Sequence, residues 1–175
     1  MKKLLLHTCC GPCFLGVWDD IATKFLVTSY FYNPNIQPKE EYIKRLDNIK
    51  LVTKNRDVEI KIENYNETEH HKAIASDTSF PKRCQECYRL RLEKTARHAK
   101  EKGFDIFSTT LLVSPYQQHE ILKEIGDKIS KEYDIEFYYK DWRPFFRDGQ
   151  NMAKEMGIYR QKYCGCLLSK VEANH

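Results

Sequence analysis

Leu4-Leu5-Leu6-His7-Thr8-Cys9-Cys10-Gly11-Pro12-Cys13 is the stretch that decides how this 175-residue chain is read. The continuous apolar run over residues 3–8 has the character of a strand covered on both faces, as in a parallel sheet. It hands over to residues 11–24, where Phe14, Val17, Trp18 and Ile21 recur at helical spacing. Pro12 suits a first helical turn, and Gly11 lets the backbone approach another group closely. The junction carries three thiols, and a helix amino terminus stabilises thiolate through its free N–H groups and its dipole. The same ten residues therefore predict a strand–helix unit and a thiolate site where the two meet.

The alternation continues along the chain. Residues 25–32 are rich in aromatic and β-branched side chains and predict a strand, stopped by Asn33-Pro34-Asn35. Pro38 opens a helix to residue 55, with Tyr42, Ile43, Leu46, Ile49 and Val52 expected on one face. A strand over 58–62, a short helix over 67–75 and a loop over 76–82 follow. A long helix over 84–102 is closed by Gly103. A strand over 105–110, a helix over 117–133 and a strand over 135–139 come next. A loop around 142–146, a helix over 147–156 and a last short helix complete the chain. Five strands alternating with helices predict an α/β fold: a five-stranded parallel sheet with helices on both faces, in a single domain over 1–175. In such sheets ligands bind at the carboxyl ends of the strands, near the switch point. Cys9 and Cys10 stand at the end of the first strand.

Seven cysteines fall into three groups. The odd count, and only three leucines between Lys3 and His7, oppose a secreted disulfide framework. No run approaches the ~18 apolar residues of a membrane span. The expected compartment is the cytoplasm, with thiols reduced or metal-bound. Cys84-x-x-Cys87 opens a second predicted helix and shares its electrostatic advantage. Four thiolates suit structural zinc or an iron–sulfur cluster. Cys9, Cys10, Cys84 and Cys87, from two helix starts, are the most economical set. Cys13 lies about one helical turn on, available to a second metal or simply packed. A Cys164-Gly165-Cys166 disulfide would close a small strained ring, and strained disulfides are the readily reduced ones. The pair reads as a redox-active dithiol or as two further metal ligands.

The formal charge of +4 is unevenly placed. Residues 84–102 hold six Lys/Arg against three Asp/Glu, and residues 138–170 hold seven against three. Positive charge thus gathers where four of the cysteines lie, which suits a polyanionic partner.

Six motifs in order carry a resemblance over nearly the whole chain. They are Leu6-His7-Thr8-Cys9-Cys10-Gly11-Pro12-Cys13, Tyr32-Asn33-Pro34-Asn35-Ile36, Glu41-Tyr42-x-x-Arg45, Arg83-Cys84-x-x-Cys87-Tyr88-x-x-Arg91-Leu92, Ser108-Thr109-Thr110-Leu111-Leu112-x-Ser114-Pro115-Tyr116 and Tyr163-Cys164-Gly165-Cys166. Together they resemble the cobalamin-independent epoxyqueuosine reductases, the QueH family. The resemblance implies a Rossmann-like fold with a [4Fe–4S] cluster and an adjacent mononuclear iron. Matched by position, Cys9, Cys10, Cys84 and Cys87 take the cluster-ligand role and Cys164 and Cys166 the redox-active pair, with Cys13 open as a ligand of the second iron. The implied reaction is the last step of queuosine synthesis, in which epoxyqueuosine in the anticodon loop of a tRNA loses its epoxide oxygen. It consumes two electrons and two protons, so a dithiol or second metal beside a one-electron cluster is useful, and an electron donor is needed. His7, Tyr116 and Tyr163 are candidate proton donors.

A tRNA partner also accounts for the charge pattern. Residues 138–147 interleave aromatic and basic side chains, as base stacking and phosphate contact require. Arg89, Trp142, Arg143 and Arg147 are the expected tRNA-binding residues, and Arg89, Arg91, Lys94, Arg97 and Lys100 could form a basic ridge. One competing reading is a tRNA-binding module stabilised by zinc or iron–sulfur but without catalysis. Another is a nucleotide-dependent tRNA thiolation enzyme, which should carry a Ser-Gly-Gly-x-Asp-Ser loop where Cys9-Cys10-Gly11-Pro12-Cys13 stands.

Overall fold

The computed structural model describes residues 1–173. Its centre is β1 (Lys2–His7), whose Leu4, Leu5 and Leu6 are fully buried because strands pair on both sides. β2 (Phe25–Phe31) lies on one side, in register Leu4 to Val27, and β4 (Ile106–Thr109) on the other, Leu4 to Ile106. β3 (Glu59–Ile62) and β5 (Glu136–Phe137) form the edges of an all-parallel sheet ordered β3-β2-β1-β4-β5. The helices are α1 (Gly11–Ala22), α2 (Lys39–Lys54), α3 (Glu67–Ile74), α4 (Lys82–Glu101), α5 (His119–Tyr133), α6 (Phe146–Glu155) and α7 (Leu167–Ala173). α1 packs against α2 and α6, while α4 packs against α3 and α5. The chain moves outward from β1 to β3 and then returns to β4, so right-handed crossovers put these two groups on opposite faces. The five-stranded parallel α/β expectation holds.

Two expectations need correction. The fifth strand is two residues long: the Tyr138 N–H still donates to the Phe107 carbonyl at 2.8 Å, but the Tyr138 carbonyl accepts from the Ser108 hydroxyl at 2.7 Å and the ladder ends there. On α2, Ile43 is exposed and Arg45 is buried. The inward face runs Tyr42, Arg45, Ile49, Val52 at 3-4-3 spacing, which the 3.6-residue turn allows for any side chain able to satisfy its charge.

α1 and α6 cross at Gly16 and Gly149. A Cβ on Gly149 would lie 2.4 Å from the Pro12 carbonyl oxygen and 2.9 Å from Gly16 Cα, so only glycine permits this approach. The crossing brings the segment after α6 over the carboxyl end of the sheet. Among the described residues no helix is long and apolar enough to cross a membrane.

Candidate metal and redox site

The switch point lies between β1 and β4, and the thiols gather at its crest. Cys10 is the N-cap of α1, its sulfur accepting the Cys13 N–H at 3.4 Å. The sulfurs of Cys9, Cys10 and Cys13 all lie within 4.8 Å of one another, and all three residues are buried. Thr110, just past β4, ties the group down: its hydroxyl accepts the Cys9 N–H at 3.3 Å and lies 3.5 Å from the Cys9 sulfur. The Cys10 and Cys13 thiols hydrogen-bond to Cys9 and draw its pKa well below the ordinary value. Hydrogen bonds with Cys10 and then Cys9 raise Cys13, and burial raises Cys10. The triad thus favours the thiolate at Cys9 over its two neighbours.

α4 contributes the second pair. Cys84 sits in its first turn and Cys87 one turn on, and burial pushes Cys84 up to about 11 and raises Cys87. Behind them is Arg91, 4% exposed, with its Nε donating to the Cys87 carbonyl at 3.4 Å. Burial works against its charge, yet Cys87, Cys9 and Cys164 together raise its pKa. No carboxylate among the described residues pairs with it. A buried cation of this kind is costly unless anions face it, and the acidic groups nearest it are the thiols of Cys87, Cys9 and Cys164.

Cys164 and Cys166 form the third element. Both thiols are free, as are all seven. Ser169 links them: it accepts from the Cys164 thiol at 3.0 Å and its N–H donates to the Cys166 sulfur at 3.3 Å. The Cys164 hydrogen bond lowers Cys166 to about 5. Gly165 has φ of +138°, and a Cβ there would meet Asn35 Nδ2 at 2.9 Å and Ile36 Cγ1 at 3.0 Å. The tight seat is made by the 33–37 turn, whose Gln37 N–H donates to the Gly165 carbonyl at 2.8 Å. α2 completes the grip. Arg45, 1% exposed, donates to the carbonyls of Cys164 at 3.0 Å and Tyr163 at 2.8 Å and pairs with Glu41 at 2.9 Å. The Glu41-Tyr42-x-x-Arg45 motif is therefore a clamp on the Cys-Gly-Cys loop.

A cavity of about 640 Å³ opens where these elements meet, lined by Cys9, Cys13, Cys84 and Cys164 among others. Cys10, Cys87 and Cys166 are buried and do not line it. Of the candidate proton donors, Tyr116 and Tyr163 line the cavity, but the Tyr163 hydroxyl donates to the Gln37 carbonyl. His7 does not line it. Its ring is fully buried, bonded to Thr109 at 2.9 Å and to the Tyr32 carbonyl at 2.9 Å, and burial lowers it to about 4. Its role is to join β1 to its neighbours.

The expected tRNA contacts fare differently. Trp142 is fully buried, its indole N–H donating to Asp20 at 2.9 Å, so it has no face to offer a base and that expectation is corrected. Arg143 is paired with Asp141 at 2.7 Å, and Arg89 with Glu86 at 2.8 Å and Glu93 at 3.0 Å. Arg147 is exposed but outside the cavity lining. The basic ridge is broken as well: Arg91 and Arg89 are two residues apart and face opposite ways, one inward and one outward.

The family model described as epoxyqueuosine reductase QueH matches residues 4–172. Among relatives, an epoxyqueuosine reductase QueH of Thermotoga maritima is 36% identical, covering 98% of this chain and 92% of the relative. One from Dehalococcoides mccartyi is 34% identical over 97% and 93%. Among solved structures, the U34-tRNA thiolase NcsA of Methanococcus maripaludis with its [4Fe–4S] cluster superposes with a TM-score of 0.56. That match is 14% identical and covers 98% of this chain and 64% of the thiolase. A predicted tRNA methyltransferase subunit from Methanocaldococcus jannaschii gives 0.53 at 12% identity, covering 88% of each chain. Those two likenesses speak for the fold alone. With its six motifs, its thiol-lined cavity and these relatives, the chain belongs to the epoxyqueuosine reductase QueH family.

Proposed function

We propose that this chain reduces epoxyqueuosine in the anticodon loop of tRNA to queuosine, the last step of queuosine synthesis, and that it does so at the thiol-lined cavity. The observation that carries the site is the meeting of Cys9, Cys13, Cys84 and Cys164, from three parts of the chain, on one cavity. Buried Arg91, without a carboxylate partner among the described residues, stands behind them.

The donor set fits an iron–sulfur group. Thiolates are its ligands, and a cation buried among thiols offsets the negative charge that such ligation builds up. Cys9, Cys10, Cys84 and Cys87 would hold a [4Fe–4S] cluster. Cys13, which shares the triad and lines the cavity, would ligate an additional mononuclear iron. When bound, these groups supply single electrons and a Lewis acid toward the epoxide oxygen.

The remaining steps belong to the chain. Breaking two C–O bonds of the epoxide and forming a C=C bond consumes two electrons and two protons and releases water. Oxidation of the Cys164 and Cys166 thiols to a disulfide supplies that amount. Cys166, lowered to about 5, is poised as thiolate beside the Cys164 thiol. Arg45 and Gly165 hold the loop so that Cys164 faces the cavity. An external two-electron reductant would restore the pair after each turnover.

Anaerobic reconstitution with iron and sulfide tests the ligand set. Cys84→Ser and Cys87→Ser should lose the visible absorbance and paramagnetic signal of the reduced cluster, while Cys13→Ser keeps them. A zinc-only protein, spectroscopically silent, would favour the non-catalytic module.

A further inference from the structure

Four exposed side chains of the cavity lining hold neither the metal nor the Cys-Gly-Cys loop. Phe80 precedes α4 and is 61% exposed; Tyr116 follows β4 and is 82% exposed. Arg160 and Lys162 lie between α6 and α7, and both are exposed. All four line the same cavity, though they come from three distant parts of the sequence.

Large aromatic side chains are normally withdrawn from water, yet these two are held outward. The Arg83 guanidinium lies 5.7 Å from the Phe80 ring centre, and Phe146 meets Tyr116 edge-on at 5.9 Å. Each ring is thus steadied from the protein side. Among the described residues Arg160 and Lys162 have no carboxylate partner, unlike Arg83, Arg89 and Arg143, so their charge is open to a ligand. Between them, Gln161 Oε1 is buried without a hydrogen-bond partner on the wall of the same cavity. A buried acceptor without a partner asks for one.

Exposed π-faces beside unpaired cations are the chemistry that grips single-stranded nucleic acid: rings stack on bases and cations meet phosphates. We infer that Phe80 and Tyr116 stack the unpaired nucleobases flanking the modified one, that Arg160 and Lys162 contact the intervening phosphates, and that Gln161 accepts a base N–H at the cavity wall. This inference rests on the tRNA reading above and replaces Trp142, Arg143 and Arg89 as the recognition surface.

Full-length protein is titrated with fluorescently labelled tRNA carrying epoxyqueuosine at several salt concentrations. Phe80→Leu with Tyr116→Leu should weaken binding by about tenfold or more per ring while the salt slope stays unchanged. Arg160→Gln with Lys162→Gln should flatten the slope of log affinity against log salt by about 1.4, at about 0.7 per phosphate contact on a single strand. Tyr116→Trp gives a direct readout, since its emission should be quenched when tRNA binds. Wild-type binding with an unaltered Leu-Leu variant, or no quenching in a tRNA-bound Tyr116→Trp variant, would overturn this inference alone. Failure of the wild-type protein to bind tRNA would instead overturn the reading beneath it.

Discussion

Replacing Arg45 with methionine tests whether the clamp on the Cys-Gly-Cys loop does what its geometry implies. The guanidinium donates at 3.0 Å and 2.8 Å to the Cys164 and Tyr163 carbonyls, and hydrogen bonds from charged groups contribute about 1.5–3 kcal/mol each. The substitution also leaves Glu41, 11% exposed, without its cation at 2.9 Å. Removing one partner of a buried pair costs about 3–5 kcal/mol. The contributions overlap, and Tyr159 still donates to Glu41 at 2.9 Å, so a net loss of about 3–5 kcal/mol is expected. That loss falls first on the loop, which keeps the Gln37 N–H on the Gly165 carbonyl and the Lys170 N–H on the Cys166 carbonyl. Cys166, 6% exposed, should therefore become reactive in the native protein. A loop destabilised by 3 kcal/mol opens more than 100-fold more often. Alkylation of the reduced apoprotein, quantified by peptide mass spectrometry, reads this directly, and urea unfolding reads the global share. Adding Glu41→Gln should recover part of the stability, because no lone carboxylate remains. An Arg45→Met protein with wild-type Cys166 alkylation and an unchanged urea midpoint would refute the clamp.

Three more predictions follow from other parts of the molecule. Arg91→Met should lower apoprotein stability, since the surrounding thiols raise its pKa and so favour its charge in the fold. It should also raise further the pH at which Cys87 is alkylated, because Arg91 favours the Cys87 thiolate; a lowered alkylation pH would contradict this. His70, buried and lowered from 6.5 to about 4 by burial and then by Arg91 and His71, binds its proton more readily when unfolded. Its contribution is therefore full above about pH 6.5 and is lost as pH falls toward 4, by about 3 kcal/mol. Urea stabilities of wild type and His70→Met should converge or cross by that amount over this range, and parallel curves would exclude the effect. Gly149→Ala should lower stability by about 1–3 kcal/mol through overpacking against the Pro12 carbonyl, measured by thermal unfolding.

The sheet was legible because Leu4-Leu5-Leu6 and the aromatic run at 25–32 have no soluble alternative to a covered strand. The thiol groups were legible because a strand-end position and a helix start are both local features. What escaped was burial of charge. Arg45 shares the inward register of Tyr42 and Ile49, and the 3.6 period contains that signal, but an arginine is assigned outward unless its partners are known. Those partners, Tyr163 and Cys164, lie 118 and 119 residues away. Arg91 is hidden for the same reason, and Trp142 looked exposed only because its sequence neighbours are charged. The cavity mouth had no local pattern at all: Phe80, Tyr116 and Arg160 meet only through the fold.

The account turns on a single reaction. Anaerobically prepared protein with its full complement of iron and sulfide is incubated with tRNA carrying epoxyqueuosine and a reductant, and the nucleosides are released and analysed by mass spectrometry. Queuosine should appear at the expense of epoxyqueuosine, and Cys164→Ser with Cys166→Ser should stop the reaction from turning over with the metal content unchanged. Epoxyqueuosine left intact by a fully loaded wild-type protein would contradict the central claim.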